Sequence, residues 1–284
     1  MSEIKVPYGK GFQRAEIMED IKLEIIDIGE KVDGIDEESL LKDAMDNPIA
    51  SPRLEEMVSK EDRILIVIND HTRPGPNRII AREVLARLNL AKVPKKNIKF
   101  IVATGSHRRT TDEELEQILG SDIVSEYEIL VHDCKDKDNI VYIGESILNV
   151  PIYINKALTE STFCIVTGLI SPHHSAGYSG GRKSIVPGLA GFEMLKIHHS
   201  LPIRPYEPAM GFVYGNPFHE VALDVARKID TKFMVNAVQN PHKQNIAFVA
   251  GDLEEAHKKG VDICKKISQG ELEEKADIVV ASPG

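Results

Sequence analysis

Tryptophan is absent from the 284-residue sequence, and cysteine nearly so: Cys134, Cys164 and Cys264 stand far apart with no C-x-x-C pair. An odd number of scattered thiols argues against both a disulfide framework and a zinc ribbon, and fits a reducing, cytoplasmic compartment. No run approaches the roughly 18 apolar residues of a membrane span, and the charged start MSEIKVPYGKG lacks the apolar core of a signal peptide. No membrane partner is expected. A basic excess is also missing, since 44 acidic residues outnumber 35 basic ones for a net charge of -9, which argues against a nucleic-acid partner. Internal repeats and low-complexity linkers are lacking as well.

What the chain does have is a rhythm of short, continuous apolar runs, each followed by a polar turn: RILIVINDHTRPG, NIKFIVATGSHRRT, YEILVHDCKD, TFCIVTGLISPHH and ADIVVASPG. Runs rich in Val and Ile that do not alternate predict strands covered on both faces. Between them lie helix signals. Thr111 and Glu114 form a capping box ahead of the stripe Leu115, Ile118 and Leu119, with Gly120 as the stop, and Asp252 caps a helix carrying Leu253, Ala256, Val261, Cys264 and Ile267. The segment KFMVNAVQNPHKQNIAFVAGD breaks the rhythm and predicts a hairpin or antiparallel edge. The expected fold is α/β, an open, largely parallel, Rossmann-like sheet with helices on both faces. Residues 1–270 read as one α/β domain. Residues 271–284 read as a linker and the first strand of a second domain, before which the chain stops.

In such sheets ligands bind beyond the carboxyl ends of the strands. There the sequence puts Asp70, His71, Thr72 and Arg73; Ser106, His107, Arg108 and Arg109; and His173 with His174. Each set alone reads as turn or capping residues, but three in one structural position point to an active site. The stretch SPHHSAGYSGGRKSIVPG adds Gly177, Ser179, Gly180, Gly181, Arg182 and Lys183. Arg182 stands where a Walker loop needs its second glycine, which disfavours a nucleoside triphosphatase. The glycines could still wrap an anion balanced by Arg182 and Lys183; the bland alternative is a solvated basic loop. A desolvated Lys183 would be a nucleophile toward a carbonyl or thiocarbonyl carbon. There is no H-E-x-x-H and no zinc-spaced His or Cys set, but one imidazole on a metal held mostly by another group is compatible with the sequence. His132, His219 and His242 read as surface or packing residues, and His257 as a donor to a buried carbonyl.

Together NDHTRP, ATGSHRRT, SPHHSAGYSGGRKSIVPGLAG and the later HH of His198 and His199 resemble the nickel-dependent lactate racemase family, over the whole chain and with the block around Lys183 the most specific. The resemblance implies a nickel cofactor, pyridinium-3,5-bisthiocarboxylic acid mononucleotide, covalently joined to Lys183. Its phosphate would lie on the glycine loop with Gly177, Ser179, Gly180, Gly181 and Arg182, and His199 would supply the remaining metal ligand. The implied reaction racemises or epimerises a small 2-hydroxy acid, lactate by default, by hydride transfer, with His107 and His173 as acid/base pair and His174 as rival for the second role. Arg73 would clamp the substrate carboxylate, while Asp70 would orient a histidine or the substrate hydroxyl. Partners would be the enzymes that build the cofactor and insert nickel. Two alternatives accompany this reading: a cofactor- or anion-binding module without turnover, and a phosphohydrolase or kinase with a degenerate loop.

Overall fold

The computed structural model describes residues 2–9, 11–18, 20–26, 31–201, 203–204, 209–272 and 274–280. They fall into two units, Met1–Gly29 with Gln269–Gly284, and Glu30–Ser268. The division differs from the single domain over 1–270 expected above. In the smaller unit, β1 (Ser2–Tyr8) pairs with β2 (Gly11–Ile17), in antiparallel register from Ser2–Ile17 to Tyr8–Gly11. The expected strand in ADIVVASPG does not form among the described residues: Ile278, Val279 and Val280 are 81, 79 and 70% exposed and irregular. A run of this kind needs neighbours on both edges, and the described residues offer it none. Its last four residues, 281–284, lie outside the described set.

The larger unit is built on β3 (Ile64–Asn69), β4 (Ile98–Ala103), β5 (Glu128–Val131), a two-stranded ribbon β6 (Ile140–Glu145) and β7 (Pro151–Asn155), then β8 (Phe163–Ile170). Two-residue strands β9 (Pro172–His173) and β10 (Gly177–Tyr178) follow, and the chain closes with β11 (Phe233–Gln239) and β12 (Asn245–Gly251). The main sheet runs β12-β11-β8-β3-β4-β5, parallel throughout except for the edge pair β11–β12. That edge is the hairpin expected from the QNPHKQN turn. The helices are α1 (Glu37–Asp46), α2 (Leu54–Met57), α3 (Asn77–Leu90), α4 (Asp112–Leu119), α5 (Ser121–Glu126), α6 (Ala157–Glu160), α7 (Phe192–His198), α8 (Pro217–Lys228) and α9 (Leu253–Ser268). None among the described residues is long and apolar enough to cross a membrane.

Alternation along each strand divides the core. Ile64, Ile66 and Ile68 face Leu41, Ile80, Val84 and Leu115 of α1, α3 and α4, whereas Leu65 and Val67 face the side of α7, α8 and α9. Covering both faces is why the strands are continuously apolar. The capping box forms as read: Thr111 N–H donates to Glu114 Oε2 at 2.9 Å, and Glu114 N–H donates to Thr111 Oγ1 at 3.3 Å. Asp252 Oδ1 likewise accepts from the N–H groups of Glu254 and Glu255.

Chain order reverses at β3. β4 and β5 extend the sheet to one side, then β8 returns to the other, so the switch point lies between β3 and β8. The ladder between these two strands stops at Val67–Val166, although β3 continues to Asn69 and β8 to Ile170. Beyond that rung the backbones no longer pair, Thr167 Oγ1 donating to the Val67 carbonyl at 2.9 Å, and the loops bearing Asp70 and His173 leave from opposite lips of the opening.

Candidate active site

The β3 and β4 lips meet at His107 Nδ1, which lies 2.6 Å from Asp70 Oδ2 and 3.2 Å from Thr72 Oγ1. Asp70, 2% exposed, accepts from His107 Nδ1 at 2.6 Å with Oδ2, while Oδ1 accepts from Thr72 N–H at 3.2 Å and Thr72 Oγ1 at 2.8 Å. A carboxylate held this way fixes the imidazole tautomer with the proton on Nδ1 and leaves Nε2 as the exchanging atom. Asp70 therefore serves its histidine. Its expected contact with substrate is not available to a buried carboxylate already satisfied by three donors. Arg73, three residues on, is exposed and makes no ion pair among the described residues.

On the β8 lip, Lys183 Nζ lies 3.1 Å from His173 Nε2 and 5.4 Å from the centroid of the Phe218 ring. His173 Nδ1 accepts from the backbone N–H groups of Ser175 and Ala176, each at 3.2 Å. A nitrogen that accepts carries no proton, so the neutral ring bears its hydrogen on Nε2, and that N–H can only donate to Lys183. An ammonium has no lone pair to accept it. The hydrogen-bond pattern thus demands the free amine, in agreement with a lysine pKa lowered to about 7, chiefly by burial and then by the charges of Arg182 and Arg73. His173 is held neutral too, pushed down to about 3 by burial first and Lys183 second. His174 stacks on the His173 ring at 4.5 Å and is exposed. The lysine contact belongs to His173.

The second histidine pair divides its labour. His198 is fully buried and donates from Nε2 to the Phe218 carbonyl at 2.9 Å, with burial holding its pKa at about 3. His199 instead donates from Nδ1 to the Leu195 carbonyl at 3.2 Å, which leaves the Nε2 lone pair uncommitted, the form a metal needs. Its ring stands edge-on to Phe218 at 5.0 Å. Phe218, which the sequence reading passed over, therefore borders Lys183, His173, His198 and His199 together. Among the described residues no three His, Cys, Asp or Glu side chains gather to hold a metal by themselves. The donor set fits a metal brought by another group, with one imidazole supplied by the chain.

The glycine loop departs from expectation. Arg182 was placed on a phosphate, but its guanidinium is 1% exposed and donates to the carbonyls of Ser179, Gly180, Ala176 and Tyr178 at 3.3, 3.1, 2.9 and 2.8 Å. Burial lowers its pKa to about 9, so it stays charged at neutral pH. His257 Nε2 lies 2.9 Å from the Ser179 carbonyl, the buried-carbonyl contact expected of it, and 2.7 Å from Arg182 Nη1. Ser179 Oγ donates to the Leu169 carbonyl at 2.7 Å and accepts from Ser171 N–H at 2.9 Å. Gly181 N–H donates to Asn236 Oδ1 at 2.8 Å. Gly177 and Gly180 sit at φ +76° and +78°, where a Cβ would meet the Phe212 carbonyl oxygen at 2.2 Å and Asn236 Oδ1 at 2.4 Å. They allow close packing at positive φ, with the Ser179 hydroxyl and the Gly181 N–H spent on the loop's own architecture. Asn236, a polar residue inside the apolar run FMVNAVQ and fully buried, was the available signal for this.

The remaining histidines largely match their reading. His132 is buried, with Nε2 3.1 Å from the Ala190 carbonyl and its pKa pushed down to about 4 by burial; His219 is buried and His242 exposed.

Residues 8–211 match the family described as the lactate racemase N-terminal domain. Over its whole length the chain is 33% identical to the lactate racemase of Thermoanaerobacterium thermosaccharolyticum, of which it covers 67%. Over 82% of its length it is 37% identical to the lactate racemase of Lactiplantibacillus plantarum, of which it covers 55%. The lactate racemase apoprotein structure from T. thermosaccharolyticum matches with a TM-score of 0.86 at 32% identity, over 94% of this chain and 63% of that one. A Thermotoga maritima protein shares the fold at a TM-score of 0.62 and 22% identity, over 81% of this chain and 59% of its own. The chain thus spans about half to two thirds of the length of these relatives. With the match reaching across most of its residues and the strand-end histidines, lysine and glycine loop assembled as described, the chain belongs to the lactate racemase N-terminal domain family.

Proposed function

We propose that residues 30–268 form the cofactor-holding part of a 2-hydroxy acid racemase or epimerase, with lactate as the default substrate and a nickel-pincer mononucleotide joined to Lys183. The observation that carries this is the free amine of Lys183. A lysine held neutral by burial, neighbouring cations and the His173 hydrogen bond is fitted to attack a thiocarboxyl carbon, the nitrogen giving up a proton and water leaving the carbon so that a thioamide-type bond remains. His199 would present Nε2 to the nickel. When bound, the cofactor would accept the α-hydride of the hydroxy acid and return it to the planar keto acid.

The chain's own groups do the rest. His107, with Nδ1–H given to Asp70, takes the hydroxyl proton at Nε2. His173, whose Nδ1 is pinned by two backbone donors, also exchanges protons at Nε2, and conversion of the Lys183 amine to an amide-type nitrogen removes one of the charges that hold its pKa down. Two bases from opposite lips of the crevice suit a reaction that must work on both faces of a flat intermediate. Arg73 lies free to clamp the carboxylate in bidentate fashion. The phosphohydrolase reading is disfavoured because the loop's hydroxyl and Gly181 N–H are already engaged. A cytoplasmic location remains part of this proposal.

The test is production of the protein alongside the cofactor-building and nickel-inserting enzymes. An adduct mass on the Lys183 peptide, about one nickel per chain and interconversion of lactate enantiomers are expected. His199→Ala should keep the adduct and lose nickel. Absence of any adduct on Lys183 would overturn the reading.

A further inference from the structure

We infer that the cavity between α8 and α9 is a binding site for a short aliphatic monocarboxylate. It measures about 290 Å³; Arg182 of the glycine loop forms part of its wall, whereas Lys183, His173, His199 and Phe218 do not. The space is separate from the crevice at the strand ends. Two polar groups of this wall are buried without partners. Arg182 gives Nη1 and Nη2 to the loop, but its Nε–H meets no acceptor; His219, 6% exposed, has an orphaned Nδ1, and no hydrogen bond reaches its ring among the described residues. With its pKa lowered to about 3, by burial first and then by the charges of Arg182 and Arg227, His219 is neutral and keeps one N–H to give. Water can meet these donors. It cannot balance the charge, because no carboxylate pairs with Arg182 among the described residues and a guanidinium buried without a counter-ion favours an anion beside it.

The rest of the cavity selects the kind of anion. Val213, Leu223, Leu253 and Val261 make much of the wall apolar, which suits an alkyl tail. At about 30 Å³ per water-sized group there is room for roughly nine non-hydrogen atoms, an acid of about four to seven carbons. The exposed charges at the opening set a further limit. Glu254, Glu255 and Asp262 outnumber Lys258 there, and Glu254 is paired with Arg227. A second negative charge on the ligand would lie among these acids, so dicarboxylates and phosphates are disfavoured. One carboxylate on Arg182 and His219 with a hydrocarbon chain along the leucines and valines meets every condition. Since Arg182 holds four loop carbonyls and directly precedes Lys183, an occupant would brace the segment that presents the lysine. The assignment does not rest on the reaction proposed above.

Ligand-observed NMR titration of the full chain tests the site with acetate, butyrate, hexanoate, decanoate, succinate and n-butanol as probes. The proteins are the parent, His219→Leu, Val261→Phe to fill the space, and Arg73→Ala, which removes the carboxylate clamp proposed for the crevice. Affinity is expected to rise roughly fourfold per methylene from acetate to hexanoate and to fall for decanoate, which is too long for the space. Succinate and n-butanol should bind about tenfold more weakly than butyrate, and His219→Leu and Val261→Phe should each weaken butyrate by about tenfold. Both substitutions set apolar groups against apolar walls, so folding is expected to survive, and thermal melting checks it. In the parent, saturating butyrate should shift the ring-nitrogen signals of His219, and Arg73→Ala should bind butyrate as the parent does. Binding that vanishes in Arg73→Ala and survives His219→Leu assigns the acid to the crevice and overturns the cavity site, with the Lys183 adduct test left standing. Affinity indifferent to chain length, or no binding by the parent, overturns it as well.

Discussion

Protonation of Lys183 is the sharpest quantity the structure offers. With its pKa lowered from 10.5 to about 7, the amine is about half neutral at pH 7. An ordinary lysine at that pH is neutral in only about one molecule in 3,000, so Lys183 should acylate roughly a thousandfold faster than lysines of equal access. Competitive labelling with a limiting acylating reagent, read peptide by peptide by mass spectrometry from pH 5 to 11, should give a midpoint near 7 for Lys183 and near 10.5 for surface lysines. Stability follows with a definite sign. Between pH 7 and 10.5 the unfolded chain binds the proton that the folded chain has lost, so this lysine's contribution to stability rises with pH through that window, and its cost is complete below 7. At pH 7 that cost is about 4 kcal/mol, and Lys183→Met should relieve it. The substitution also orphans the His173 Nε2–H, which costs about 1–3 kcal/mol, so a net gain of about 1–3 kcal/mol in urea unfolding is expected at pH 7, shrinking toward pH 10.5. A labelling midpoint near 10 together with a destabilised methionine variant would refute both the burial argument and the tautomer argument.

Three other outcomes follow from the same contacts. Asp70→Asn should free His107 to rotate and reduce turnover of the loaded enzyme by about 10–100-fold, with cofactor attachment to Lys183 unaffected by intact mass. Arg182→Met takes the guanidinium from four loop carbonyls, leaving those of Ala176 and Tyr178 without a side-chain donor while Gly180 keeps the Lys183 N–H at 3.2 Å, and should cost about 3–5 kcal/mol in denaturant unfolding; Arg182→Lys should not restore it, lacking the planar fork that reaches all four. Gly177→Ala should cost about 2–4 kcal/mol by the same measurement, because the new Cβ meets a backbone oxygen that cannot step aside.

The strands and the two best helices were legible because burial on both faces leaves continuous Val/Ile runs, and because Thr111, Glu114 and Asp252 declare their caps locally. The sites at the strand ends were legible for the same reason, as polar residues placed where an apolar run stops. What composition could not show was allegiance. Arg182 and Lys183 are neighbours in a basic loop, yet one is sealed against carbonyls and the other is held as a free amine, a difference decided by His257 and Asn236 from strands and helices more than fifty residues away. Phe218 was invisible for a similar reason, since an aromatic residue at a helix start reads as core until four polar side chains are seen around it. The run Ile278–Val280 has the same apolar spelling but is irregular and exposed, because among the described residues it has no partner edge.

The early end of the β3–β8 ladder has a mechanical implication. His107, through Asp70, rides on one side of that fork, while Lys183 and His173 ride on the other, so the width of the gap is governed by how sharply two backbones diverge after Val67 and Val166. A wedge or a missing methyl just below the fork, far from any reacting atom, would retune the spacing of both bases at once.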